Sequence, residues 1–106
     1  MNIRTALTAA LAVSALGFSA AAQAAPEEAM TKAGCTACHS KDKKIVGPAF
    51  KDIAAKYKGQ DVVGTLVQKV RTGGKGVYGP VPMPASGPDK ISDDDLKAAI
   101  EFILKT

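Results

Sequence analysis

An all-α fold is what this sequence predicts, and three observations carry that expectation. Apolar residues recur at helical spacing in separate segments, each bounded by residues that start or stop helices. Nowhere do apolar and polar residues alternate cleanly across a β-branched run, as a half-buried strand requires. And once the first two dozen residues are set aside, the 106-residue chain is short enough for one domain at most.

Those first residues read as an address. Met1-Asn2-Ile3-Arg4 gives a short positive start, and an apolar run follows from Ala6 to about Phe18. That run falls short of the roughly 20 apolar residues needed to cross a bilayer. Ala22-Gln23-Ala24 supplies the small-x-small pattern of a secretory cleavage site. The expectation is a signal peptide over residues 1–24, a single domain over 25–106, and no stable membrane insertion after cleavage.

Four helices are expected in the domain. The first opens at Pro26, a good first-turn residue, with Glu27 and Glu28 near the positive end of the helix dipole, and runs toward Gly34. The second follows Gly47-Pro48, aligns Phe50, Ile53, Ala54 and Tyr57 on one face, and stops at Gly59. The third begins near Asp61, carries Val63, Leu66, Val67 and Val70, and ends at Gly73-Gly74. Ser92 caps the fourth, with Asp95 three residues on and Ile91 and Leu96 at the two staple positions. Its buried stripe is Leu96, Ala99, Ile100 and Ile103. Between the third and fourth helices, roughly Gly73 to Ile91, lies a glycine- and proline-rich segment whose Val77, Val81 and Met83 argue that something orders it.

The core these helices can build is thin. Phe50, Tyr57, Tyr78 and Phe102 are the only aromatics after the leader, and there is no tryptophan. Domains this small often need a disulfide, a metal or a cofactor. Cys35-Thr36-Ala37-Cys38-His39 supplies the means, because CxxCH is the attachment motif of c-type haem. Two cysteines three apart on a helical turn suit two vinyl groups on one porphyrin edge, and the next residue, His39, can reach the iron. Competing readings fare worse. A disulfide would close a very small loop with little entropic gain. Zinc wants four ligands where only three Cys and His residues remain, and a thioredoxin-like dithiol needs a strand that is not there.

His39 is the only histidine, so a sixth iron ligand would be a methionine. Met30 lies five residues before Cys35 and reads as core filler. Met83 lies 44 residues after His39, far enough to return on the opposite face, and Pro82 and Pro84 restrict its backbone. Simple loop packing is the alternative for Met83. A thioether opposite imidazole favours ferrous iron and leaves no site for a substrate. The Pro48 carbonyl is placed to accept the second ring N–H of His39. Lys69, Arg71, Lys75 and Tyr78 are candidate donors to the haem propionates.

Gly34-Cys35-x-x-Cys38-His39, Val46-Gly47-Pro48-Ala49-Phe50-Lys51-Asp52-Ile53-Ala54 and Gly76-Val77-Tyr78-Gly79-Pro80-Val81-Pro82-Met83-Pro84 together resemble the small bacterial class I cytochromes c of the cytochrome c-551 type. The resemblance covers nearly all of residues 25–106. It implies a fold of about four helices wrapped around one covalently attached heme c, with Cys35 and Cys38 as thioether residues, His39 and Met83 as axial ligands, and Pro48 as carbonyl partner of His39. It also implies a carrier in the periplasm that shuttles single electrons from a quinol-cytochrome c reductase to a nitrite reductase or cytochrome oxidase; a monomer is expected. Tyr78 stands where relatives commonly have a tryptophan that bonds a propionate, and Lys69 where some have arginine. The stretch from Ala85 to Ile91 is longer than the family's, and Ser86 falls near an asparagine that bonds the methionine sulfur in some members.

The charge is modest and unevenly spread. The chain has 14 Lys and Arg against 10 Asp and Glu. Lys41, Lys43, Lys44, Lys51, Lys56 and Lys58 crowd the segment after the motif, and Asp89, Asp93, Asp94, Asp95 and Glu101 crowd the C-terminal part. Such a polarised chain can be steered toward an acidic partner. Export and the lack of an aromatic basic platform exclude nucleic acid. The alternative to a carrier is a haem enzyme or gas sensor, peroxidase-like, with the sixth position open.

Overall fold

The computed structural model describes residues 25–106; the expected signal peptide, 1–24, lies outside the described residues. Four α-helices follow one another: α1 (Pro26–Lys32), α2 (Phe50–Lys56), α3 (Val63–Thr72) and α4 (Asp93–Leu104), with a single 3-10 turn at Cys35–Ala37 between the first two. No strand forms among the described residues; the only β-type pairings are two isolated bridges, His39 with Lys44 and Gly74 with Met83.

Local chemistry sets each element. Pro26 starts α1, Glu27 and Glu28 occupy its first turn, and Lys32 closes it. The Glu28–Lys32 ion pair, at 3.2 Å, is exposed on both sides and adds little. Gly34, at φ 86°, turns the chain into the Cys35–Ala37 turn. α2 is shorter than its apolar stripe suggests, because Tyr57 leaves helical geometry at φ −105°. α3 starts two residues after Asp61, and no side chain caps it at Val62. α4 is capped as expected: the Ser92 hydroxyl accepts from the Asp95 N–H at 3.2 Å.

α4 is the hub. It packs against α1, α2 and α3, whereas those three helices make no comparable contact with one another among the described residues. Leu96, Ala99, Ile100 and Ile103 form its buried stripe and meet Ala29 and Met30 of α1, Phe50 of α2, Leu66 of α3 and Ile91. Ile91 and Leu96, the staple pair, are 4% and 3% exposed. The core is small: no bulky side chain among the described residues is fully enclosed. The remaining apolar surface of α2, α3 and the long loop turns instead toward a cleft.

Candidate cofactor site

The cleft encloses about 1310 Å³, its open mouth included, and runs between the Cys35–Pro48 segment, the inner faces of α2, α3 and α4, and the loop from Gly73 to Pro84. Cys35, Cys38, His39, Pro48, Lys69, Tyr78 and Met83 all line it. Residues scattered over nearly fifty positions of sequence are thereby brought to one surface.

Cys35 and Cys38 lie on and just after the 3-10 turn, half-buried and unpaired. Burial pushes the Cys35 thiol above its ordinary value, a hydrogen bond from its own backbone opposes this, and Cys38 adds a smaller upward push. The His39 N–H donates to the Cys35 carbonyl at 2.9 Å, which closes the turn and fixes the histidine beside both sulfurs.

The imidazole is held on three sides. Its Nδ1 lies 2.8 Å from the Pro48 carbonyl, which can only accept, so Nδ1 carries the proton and Nε2 keeps its lone pair for a metal. Phe50 stacks on the ring at 5.5 Å between centroids and 20° between planes. Gly47 closes the third side: a Cβ there would stand 2.6 Å from the ring's Cε1. The spacing from Pro48 to His39 was legible in the sequence; the close approach of Gly47 was not, beyond its place in Val46-Gly47-Pro48.

Met83 comes from the far loop and is half-buried in the cleft wall. Its main chain pairs both ways with Gly74, Met83 N–H to the Gly74 carbonyl at 2.8 Å and Gly74 N–H to the Met83 carbonyl at 3.0 Å. Gly73, at φ 69°, lets the chain pass closely: a Cβ there would lie 2.5 Å from the Met83 carbonyl oxygen and 2.8 Å from the Ala85 nitrogen. Thus the glycine pair that ends α3 also seats Met83. Met30 is 3% exposed within the core and lines the cleft from α1.

Tyr78 and Lys69 reach the cleft, as does Lys75. Tyr78 is 40% exposed; burial, then Tyr57 and Asp52, raise its phenol above the ordinary value. The Lys56 ammonium lies 5.8 Å from the Tyr57 ring centre and 5.9 Å from that of Tyr78, joining α2 to the loop across the cleft's edge. Arg71 corrects the expectation that it faces a propionate. It is absent from the cleft wall, and its guanidinium is engaged by the carbonyls of Ser86 and Ile91 and by Asp93. Ser86 is buried, and its backbone N–H donates to the Val70 carbonyl at 2.9 Å.

These residues fit a large, flat, mostly apolar ring. Val46, Val77, Tyr78 and Val81, among the most exposed large apolar side chains, all stand on the cleft wall. Two free thiols lie at one place on that wall and a proton-free imidazole nitrogen beside them. No cluster of three His, Cys, Asp or Glu side chains that could hold a bare metal ion forms among the described residues.

Comparison with known proteins agrees with this chemistry. The family model for cytochrome C oxidase, cbb3-type, subunit III matches residues 21–103. Cytochrome c2 of Rubrivivax gelatinosus is 48% identical over 78% of this chain and 99% of its own length. Cytochrome c-551 of Pseudomonas aeruginosa is 44% identical over 74% of each chain. The crystal structure of wild-type Nitrosomonas europaea cytochrome c552 superposes with a TM-score of 0.67 at 43% identity, covering 74% of this chain and 95% of that one.

Proposed function

This chain belongs to the small class I cytochromes c and is an electron-transfer protein with a covalently attached haem c, and we propose that His39 and Met83 are the two axial ligands of its iron. The observation that carries this reading is the pairing of two restrained donors on one cleft. The His39 ring is fixed by its 2.8 Å bond to Pro48, and Met83 is locked to Gly74 by a reciprocal backbone pair. Cys35 and Cys38 hold the thioether bonds.

The haem supplies one-electron exchange at its iron. The chain's own groups decide that nothing else happens there. The Pro48 carbonyl keeps Nδ1 protonated and makes Nε2 a stronger donor. The Met83 thioether would supply the second ligand to the iron and, as a soft donor, would favour the reduced state. Phe50, Leu66, Val70 and the α4 stripe keep water from the buried side of the cleft. Tyr78 and Lys69, at the mouth, donate to the propionates.

The chain acts in the periplasm after cleavage behind Ala24, as a monomer. It takes electrons from a quinol-cytochrome c reductase and delivers them to a nitrite reductase or an oxidase. The small-x-small motif before Ala25 supports export, and the exposed Lys41, Lys43, Lys44, Lys51, Lys56 and Lys58 support docking on acidic partners. No helix among the described residues is long and apolar enough to cross a membrane.

The test is spectroscopic. Protein matured with haem should show a methionine-to-ferric-iron charge-transfer band and bind carbon monoxide slowly in the ferrous form. Met83→Ala should abolish the band and admit carbon monoxide rapidly, while Met30→Leu should retain it. The reverse outcome would make Met30 the ligand.

A further inference from the structure

We propose that Arg71 is the positioning residue that holds the Met83 segment in place, an inference that rests on Met83 being the second axial ligand. The loop leaving Met83 must travel through Ser86 and Ile91 before α4 begins, and its Pro84, Gly87 and Pro88 do not order themselves into regular structure. One guanidinium bridges both ends of this passage. Arg71 Nη1 donates to the Ser86 carbonyl at 3.1 Å and to the Ile91 carbonyl at 2.9 Å, and Nη2 to Asp93 Oδ1 at 2.6 Å.

The position of Arg71 on α3 matters as much as its bonds. The carbonyl of the preceding residue, Val70, accepts the Ser86 N–H, so residues 70 and 71 grip Ser86 by both its main-chain groups. Just past the end of α3, Gly73 passes so close that a Cβ there would stand 2.5 Å from the Met83 carbonyl oxygen, and Gly74 pairs with Met83. The end of α3 therefore fixes the loop at Met83 and again three residues later. These anchors hold the main chain of Met83 at the cleft wall.

The two anchors differ in strength. The Gly74–Met83 pair lies between an exposed glycine and a half-buried methionine. The Arg71 side chain is only 14% exposed, and its bonds to two carbonyls are charge-assisted in a partly dry setting. Asp93 is 83% exposed, so water competes for its share. The carbonyl bonds, not the ion pair, do the holding. Lysine keeps the charge but has no planar fork that reaches both carbonyls.

The experiment uses the haem-loaded ferric protein and measures how fast added imidazole displaces the methionine, followed by loss of the charge-transfer band. Arg71→Lys should speed displacement about tenfold, the effect of weakening one charge-assisted hydrogen bond. Asp93→Asn should change it less than about twofold, as befits an exposed pair. Ala54→Gly, inside α2 and off the cleft wall, should lower stability and leave the rate alone. Amide exchange gives a second reading: Met83 and Ser86 should lose protection in Arg71→Lys while Ala99 and Ile100 keep theirs. An unchanged rate in Arg71→Lys, or an equal rise in Ala54→Gly, would overturn the proposal. Wild-type protein that lacks the band would overturn the ligand assignment first, and this proposal with it.

Discussion

Gly47→Ala offers the sharpest probe of how the imidazole is held. The new methyl carbon would stand 2.6 Å from Cε1 of His39, 3.0 Å from Nδ1 and 3.1 Å from Nε2. Carbon atoms pack best at about 3.5–4.0 Å, so the overlap is roughly 1 Å. The ring is restrained: Nδ1 is bound to Pro48 at 2.8 Å, and one face stacks on Phe50, itself 6% exposed in the core. Nor can Gly47 withdraw freely, since its N–H donates to the Cys38 carbonyl at 2.7 Å. Overpacking of this kind costs about 1–3 kcal/mol. In a domain of this size each kcal/mol moves the melting temperature by about 4–8 °C. Gly64→Ala is the matched control: nothing lies within 4 Å of a Cβ there, and the residue sits in α3. Replacing a helical glycine by alanine gains up to about 1 kcal/mol. Guanidinium denaturation of the haem-loaded protein should therefore shift the two midpoints in opposite directions. A Gly47→Ala protein as stable as wild type would refute the steric lock on His39.

Two further outcomes follow from the geometry. Ser92→Ala removes the acceptor for the Asp95 N–H and should cost about 1 kcal/mol by denaturant midpoint, with Ser92→Asn restoring most of it. Burial, Tyr57 and Asp52 raise the Tyr78 phenol above 10.0. The folded state thus holds that proton more tightly, so the stability involved is present below the ordinary tyrosine value and is lost as pH rises through the raised one. Tyr78→Phe should flatten that part of the alkaline stability profile, and a profile identical to wild type would contradict the assignment.

Much of this site could be read locally. CxxCH, the nine-residue step from His39 to Pro48 and the proline-flanked Met83 are signals carried within a few residues each, and all reach the same cleft. Ser92 declared its helix because a capping hydroxyl and a first turn of aspartates act at short range. Helix ends were less legible. Tyr57 fits the apolar stripe of α2 yet lies outside the helix, since a stripe reports which face is buried and not where the hydrogen bonds stop. Arg71 was misassigned for a deeper reason. Two of its three partners are backbone carbonyls, 15 and 20 residues away, and a carbonyl has no sequence signature. The close passages at Gly47 and Gly73 were invisible in the same way, because what each glycine avoids is defined only by the folded path.

The dependence of three helices on α4 has a consequence for how the protein is made. Chains emerge and are exported amino end first, and domains fold as their parts become available. α1, α2 and α3 all precede α4, the helix that each of them packs against, and the Cys35–Ala37 turn packs on α1. Until α4 arrives, the cysteine pair belongs to an open polypeptide, within reach of a ligation machinery that must handle both thiols and a porphyrin together. The order of elements along the chain thus leaves the cysteine pair reachable before α4 closes the core.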